Sequence, residues 1–286
     1  MQKITEQAQF WQVQSLKNLE FMRATYINHI FPRHSHETFG IGIVEQGSVK
    51  TVQAGTTYTI PVGSIVLFNP DEIHSCGATN EAGWTYRMLY PSHTMLEQVM
   101  LEITDRQKLP FFPFAAIQDR GLAQQIWRLH TASMQPHSSL IRESHLLLTL
   151  TRLLTRYTRD RPELPSIGSE MRAVTQARNY LEEHYNQNIS LEQLSEITGL
   201  QSLRLLRAFR KQLGLPPHQY LIQIRIARAK QNLTKGIPIS SVAIATGFTD
   251  QSHLTRHFKR IVGATPRQYA VSCKNVQDAA HCNELR

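Results

Sequence analysis

The chain writes one phrase twice. GLQSLRLLRAFRKQLGLPPHQY runs from Gly199 to Tyr220, and GFTDQSHLTRHFKRIVGATPRQY from Gly247 to Tyr269. With one extra residue in the turn of the second copy, Leu205, Arg207, Phe209, Gly214, Pro217, Gln219 and Tyr220 answer Leu254, Arg256, Phe258, Gly263, Pro266, Gln268 and Tyr269. So many ordered matches with a single gap indicate a duplicated structural unit. Each copy describes a helix, a sharp turn and a second helix. In the second copy Ile239, Val242 and Ala243 begin an apolar stripe, and Gly247 suits the left-handed conformation that ends a helix. Phe248 plugs the corner, Asp250 caps the next helix, and Leu254 and Phe258, one turn apart, face the core.

A helix turns about 100° per residue, so the opposite face can be named. It carries Ser252 and Arg256, flanked by His253, Lys259 and Arg260, with Gln251 at its start. The same arithmetic in the first copy turns Leu203 and Arg207 outward beside Arg204, Arg210 and Lys211. A helix entering a major groove needs this division, with base-reading side chains early and phosphate-holding cations late. Arg207 and Arg256 could each grip a guanine edge with two hydrogen bonds. For one copy a solvated face is an equal reading. Pro217 to Leu233 reads as a connecting helix of roughly 25 Å. Arg225 and Arg228 lie on its polar side, to touch the DNA backbone or to be solvated.

Charge separates the two copies from the rest. Residues 1–160 hold 14 Lys+Arg against 13 Asp+Glu, whereas residues 161–286 hold 17 against 9. The basicity belongs to the C-terminal part; it suggests a polyanionic partner for that part or is a generic basic surface that keeps the protein soluble, and charge alone does not decide. The two outward helix faces make double-stranded DNA the expected partner. No apolar run is long enough for a bilayer, and charges interrupt the first thirty residues, so neither membrane span nor signal peptide is expected. Three sparse cysteines, Cys76, Cys273 and Cys282, point to the reducing cytoplasm rather than to disulfides or zinc.

Residues 38–69 are rich in Thr, Val, Ile and Tyr, with turns expected at Gln46-Gly47, Ala54-Gly55 and Pro61-Val62-Gly63. This is the texture of a β-barrel or sandwich, and WTYRMLY from Trp84 to Tyr90 adds a strand. Helices follow. Ser92 caps one with Leu96, Val99 and Met100 on a face; a second uses Leu122, Ile126 and Leu129. A third over 139–158 carries the seam Leu147, Leu150, Leu154 and Tyr157, which either joins two subunits or packs on its own domain. The expected organisation is α+β: a sensor domain over 1–160, a linker over 161–169, an all-α double helix-turn-helix domain over 170–270, and a disordered tail over 271–286.

The second unit, ISSVAIATGFTDQSHLTRHFKRIVGATPRQY, resembles the AraC/XylS family of bacterial transcription regulators through Ala243, the Gly247-Phe248 pair, Asp250, Ser252, Leu254, Arg256, Phe258, Gly263 and the TP before QY. The resemblance covers residues 169–270. In the first unit Gln201 stands where the family often has a capping serine, so Ser202 is expected to cap instead. The N-terminal half resembles the cupin-like sensor barrel with flanking helices that many of these regulators carry, through His34, His36 and GTTYTIPVG from Gly55 to Gly63. Gly40 and Val66 stand where a metal-binding cupin has a glutamate and a histidine, and His74 comes eight residues late. No metal or other cofactor is therefore expected. His34, His36, His74, Trp84 and Tyr86 are the candidate ligand-pocket residues, with Arg87 a further possibility. The resemblance implies a regulator, activating more often than repressing, often dimeric, with RNA polymerase as a partner and a small-molecule effector in the barrel. Two alternatives stay open: a cupin metalloenzyme fused to a DNA-binding module, with a metal at His34, His36 and His74, and a regulator controlled by a protein partner.

Overall fold

The computed structural model describes residues 5–135 and 138–272. The chain divides into two units, Met1–Gln135 with Arg142–Ser166, and Pro136–Ile141 with Ile167–Arg286.

The first unit is built on antiparallel strands: β1 (Gln7–Val13), β2 (Leu19–Tyr26), β3 (Ile30–His34), β4 (Gly40–Gln53), β5 (Thr56–Pro61), β6 (Ile65–Phe68), β7 (His74–Ala78), β8 (Trp84–Tyr90) and the short β9 (Ala116–Ile117). One sheet runs β1-β2-β8-β4-β6-β9. The end of β4 leaves it to pair with β5 and β7, and β7 pairs with β3. The 14-residue strand β4 thus belongs to both layers of a cupin-like sheet that does not close into a full barrel.

Gln46-Gly47, expected as a turn, is instead a register shift inside β4. Gly47 has φ +69°, and a Cβ there would stand 2.2 Å from the Gly83 carbonyl oxygen, so the strand bends where another backbone crosses it. Ala54-Gly55, with φ +48° and +78°, makes the expected two-residue hairpin turn.

Three helices complete the layers: α1 (His93–Thr104), α2 (Arg120–Met134) and α3 (Ser139–Tyr157). Ser92 caps α1 by accepting from Met95 N, and Asp119 caps α2 by accepting from Gly121 N and Leu122 N. Leu147, Leu150 and Leu154 are buried, and Tyr157 donates to Asp119 Oδ2 at 3.0 Å. That seam packs within its own chain and is not a free surface for a second subunit.

The second unit holds α4 (Met171–Glu183), α5 (Leu191–Thr198), α6 (Ser202–Leu213), α7 (Pro217–Thr234), α8 (Ile239–Ala245) and α9 (Gln251–Val262). Helix–turn–helix units α5–α6 and α8–α9 flank α7. Leu205, Phe209, Leu254 and Phe258 are all 0% exposed, which places the four matched apolar positions of the repeat in the core. Residues 161–170 have no regular structure. Arg159 N donates to Phe111 O and Asp160 pairs with Lys108 on one side. On the other, Ile167 and Glu170 are held by α6. Residues 266–272 are helical, so the expected tail begins as helix at 271 and 272; residues 273–286 lie outside the described residues.

Candidate nucleic-acid interface and effector cavity

Asp250 sets the start of α9. Its Oδ1 accepts from His253 N at 2.7 Å, and this backbone hydrogen bond leads the effects that hold its carboxyl below the usual range. Along the exposed side, Gln251, Ser252, Thr255, Arg256, Lys259 and Arg260 line one shallow groove. No acidic residue occurs on this helix. Half-buried Thr255, one turn from both Gln251 and Lys259, shares this groove, and a wheel read for charge does not single it out.

His253, expected outward, is only 5% exposed. It packs edge-on against Phe248 at 5.3 Å, with His257, one turn further along the helix, at 4.8 Å. Thr249 Oγ1 sits 3.0 Å from its Nδ1. Burial, with the Arg256 charge next, pushes this imidazole down to about 4, so it is a neutral part of the corner.

On α6 the picture differs. Gln201 makes no side-chain cap, and the Ser202 hydroxyl lies 2.9 Å from that of Ser195 instead of capping. Leu203, also expected outward, is 1% exposed, as is Leu206. Leu203 stands about 160° around the helix from Leu205. Its burial means that α6 is covered on a side other than its own corner, where an exposed leucine would have stayed in water. Arg207 is half-buried, which lowers its guanidinium pKa. Arg204 places two nitrogens on Glu170 Oε1, at 2.9 and 2.5 Å, and Lys211 Nζ donates to Ile167 O at 3.0 Å. Arg210 is exposed.

The two layers of the first unit enclose a cavity of about 510 Å³. Strand alternation selects its walls. From β2 come Glu20, Met22 and Tyr26; from β8 come Trp84, Tyr86, Met88 and Tyr90. His34, His36 and His74 line it too, so all five candidate pocket residues reach one space. The walls are mostly apolar and aromatic with a few polar groups, as small-molecule sites usually are. Burial raises the Tyr86 and Tyr90 hydroxyls well above their ordinary range, keeping them neutral. Burial, then the neighbouring His74 and His34, pushes His36 down to about 4; burial also lowers His74.

Arg87 stands on the opposite face of β8 and does not line the cavity. Its Nε lies 2.8 Å from Glu45 Oε2, and its guanidinium lies 4.2 Å over the Trp127 ring. It ties β8 to β4 and α2.

Residues 16–150 match the AraC-like ligand binding domain model, and residues 194–271 match a helix-turn-helix domain model. The HTH-type transcriptional regulator YbfI of Bacillus subtilis (strain 168) is 36% identical over 237 residues, covering 83% of this chain and 86% of its own. The chain belongs to the AraC family of transcription regulators. The HTH-type transcriptional activator RhaS of Enterobacter sp. (strain 638) is 26% identical over 245 residues, 83% of this regulator and 87% of that protein. Among solved structures, the DNA-binding domain of AdpA in complex with a target DNA aligns at 26% identity and TM-score 0.34, over 38% of this chain and 96% of that one. Among the described residues of the regulator, no helix is long and apolar enough to cross a membrane.

One residue the sequence placed on a solvent or DNA side is a strut of this regulator. Arg225, on α7, is 3% exposed. Its Nε donates to Tyr185 O at 2.6 Å and its NH2 to Gln187 O at 2.8 Å, and burial brings its pKa down to about 10. The guanidinium also lies 5.9 Å over Phe248. It therefore joins the α4–α5 loop to the corner of the second helix-turn-helix. Arg228 lies 5.4 Å over the Tyr185 ring. Gly247 completes the junction: a Cβ there would come within 2.8 Å of Asn186 Cα.

Proposed function

We propose that this AraC-family regulator reads promoter DNA with α9 in a major groove and α6 in a successive one, and that a small molecule in the N-terminal cavity biases its activity. The observation that carries the reading is the α9 face, where Gln251, Ser252, Thr255 and Arg256 precede Lys259 and Arg260 in one exposed groove. Early polar groups suit base edges; the late cations suit phosphates. On α6, Arg204, Arg207, Arg210 and Lys211 are the matching group, and Arg204 and Lys211 must exchange Glu170 and Ile167 for DNA. The basic C-terminal part supports a duplex partner. The relative named as an activator supports activation, with RNA polymerase as the further partner.

For the effector, a ligand shifts the regulator only through a difference in affinity between its states. Trp84 on the cavity wall makes tryptophan fluorescence the natural screen for sugars, amino acids and aromatic acids. Arg256→Ala should weaken specific binding by about 1–3 kcal/mol and relax preference at one base position. Lys259→Ala should weaken all sequences alike and reduce the salt slope by about one. Mobility-shift titrations across a library of operator variants check both. Unchanged affinity and preference in Arg256→Ala would remove α9 as the reading helix.

A further inference from the structure

Three imidazoles converge on the cavity wall. His34 on β3 faces His74 on β7 as a cross-strand pair, with ring centroids 4.4 Å apart. His36 lies 5.0 Å from each. One ring nitrogen from each residue lies within 4.8 Å of the others.

Hydrogen bonds decide which nitrogen two of the rings offer. His34 Nδ1–H donates to Pro32 O at 2.7 Å, and His74 Nδ1–H donates to Glu72 O at 2.9 Å. Both therefore keep an acceptor lone pair on Nε2. A backbone carbonyl on Nδ1–H is the arrangement that orients a metal-binding imidazole and raises its basicity. The positions are also held. Phe68 stacks on His74 at 4.0 Å, and the His36 carbonyl accepts from Asp71 N at 2.8 Å.

We propose that His34, His36 and His74 bind one divalent first-row transition-metal ion, with its remaining coordination positions open to the cavity. Imidazole nitrogens suit zinc, nickel, cobalt, copper or iron rather than calcium or magnesium. Metal–nitrogen bonds of about 2.0–2.1 Å put the ligand nitrogens roughly 3.4 Å apart, which small rotations of the half-buried His34 and His36 provide. Three protein ligands plus an open position mark a metal that takes a further ligand. The site departs from the cupin pattern, since Gly40 and Val66 supply nothing and the third imidazole comes from β7. It deepens the effector reading, on which it rests only for its consequence: the effector would carry an oxygen or nitrogen donor that reaches the ion.

The experiment is a Co²⁺ titration of the chelator-stripped full chain without DNA, followed by visible absorption and by elemental analysis. One equivalent should bind, Zn²⁺ should displace it, and Ca²⁺ should not. His74→Ala and His36→Ala should each weaken binding by more than about 100-fold, the upper end of what lost outer-shell partners cost. His93→Ala, an exposed histidine elsewhere, should bind as the parent does. Because His74 is buried and its variant risks misfolding, the half-buried His36 variant, checked by circular dichroism, decides. No uptake by the parent chain, or equal uptake by a folded His36→Ala variant, overturns the proposal. Operator binding by the metal-free chain is measured separately, so failure of the metal site and failure of the DNA reading are told apart.

Discussion

Gly247→Ala tests whether the two helix-turn-helix units are locked together. A side chain at φ +78° costs about 1–2 kcal/mol by itself. The added Cβ would also lie 2.8 Å from Asn186 Cα, 2.9 Å from Asn186 O and 3.0 Å from Arg225 Cζ. None of these can give easily, because Arg225 holds the carbonyls on both sides of Asn186 at 2.6 and 2.8 Å. Overpacking of this kind adds about 1–3 kcal/mol. The repeat supplies its own control. Gly199 has φ +67° with nothing within 4 Å of a built Cβ, so Gly199→Ala should cost only the torsional part, about 1–2 kcal/mol. Hydrogen exchange of α7 and α9 amides by mass spectrometry reads the local stability without relying on the tryptophans, Trp11, Trp84 and Trp127, which all lie in the first unit. The Gly247 variant should open these helices about 5- to 150-fold more readily than the Gly199 variant. Equal protection in the two variants would show that the junction yields freely and that Arg225 is not a rigid strut.

Arg225→Lys should destabilise the second unit by about 2 kcal/mol, since an ammonium cannot serve both carbonyls as the guanidinium fork does. Arg225→Gln, which removes the charge, should leave the salt slope of DNA binding unchanged; a slope lower by about one would restore Arg225 as a phosphate contact. Glu170→Ala should tighten DNA binding about 1.4- to 5-fold by releasing Arg204 from a partly exposed ion pair, as a mobility-shift titration would show. His130 and His253 are buried and pushed down to about 4, below an unfolded value near 6.5. The unfolded chain thus takes up protons first, so their stabilisation is present above about pH 6.5 and lost as pH falls toward 4. The loss is about 1.4 kcal/mol per pH unit per group, read from urea midpoints, and His130→Gln should flatten the slope in the first unit.

The duplicated corner was readable because its signals are local. Asp250, Gly247, Phe248, Leu254 and Phe258 interact within a dozen residues, and the structure places each where periodicity and capping put it. The failures are of a different kind. His253 and Leu203 carry polar and apolar labels that their surroundings override, and a wheel drawn for one helix does not know what covers its second side. Strands β3 and β7 are not legible in the sequence because each finds its partner far along the chain, as Phe31 does in Cys76, and HSCGA has no strand-like alternation of its own.

The chain alone determined the helix-turn-helix pair, the basic half that contains it, and the strand at Trp84–Tyr90, because turn chemistry and periodicity act over a few residues. Tertiary structure decided which arginine is a strut and which faces outward: Arg225 and Arg256 are alike in letters, but Arg225 has two backbone carbonyls brought to it from the α4–α5 loop, whereas Arg256 is exposed along the α9 groove. It also decided that His74 stands beside His34. The two are forty residues apart, and only the antiparallel register of β3 with β7 carries one imidazole to the other.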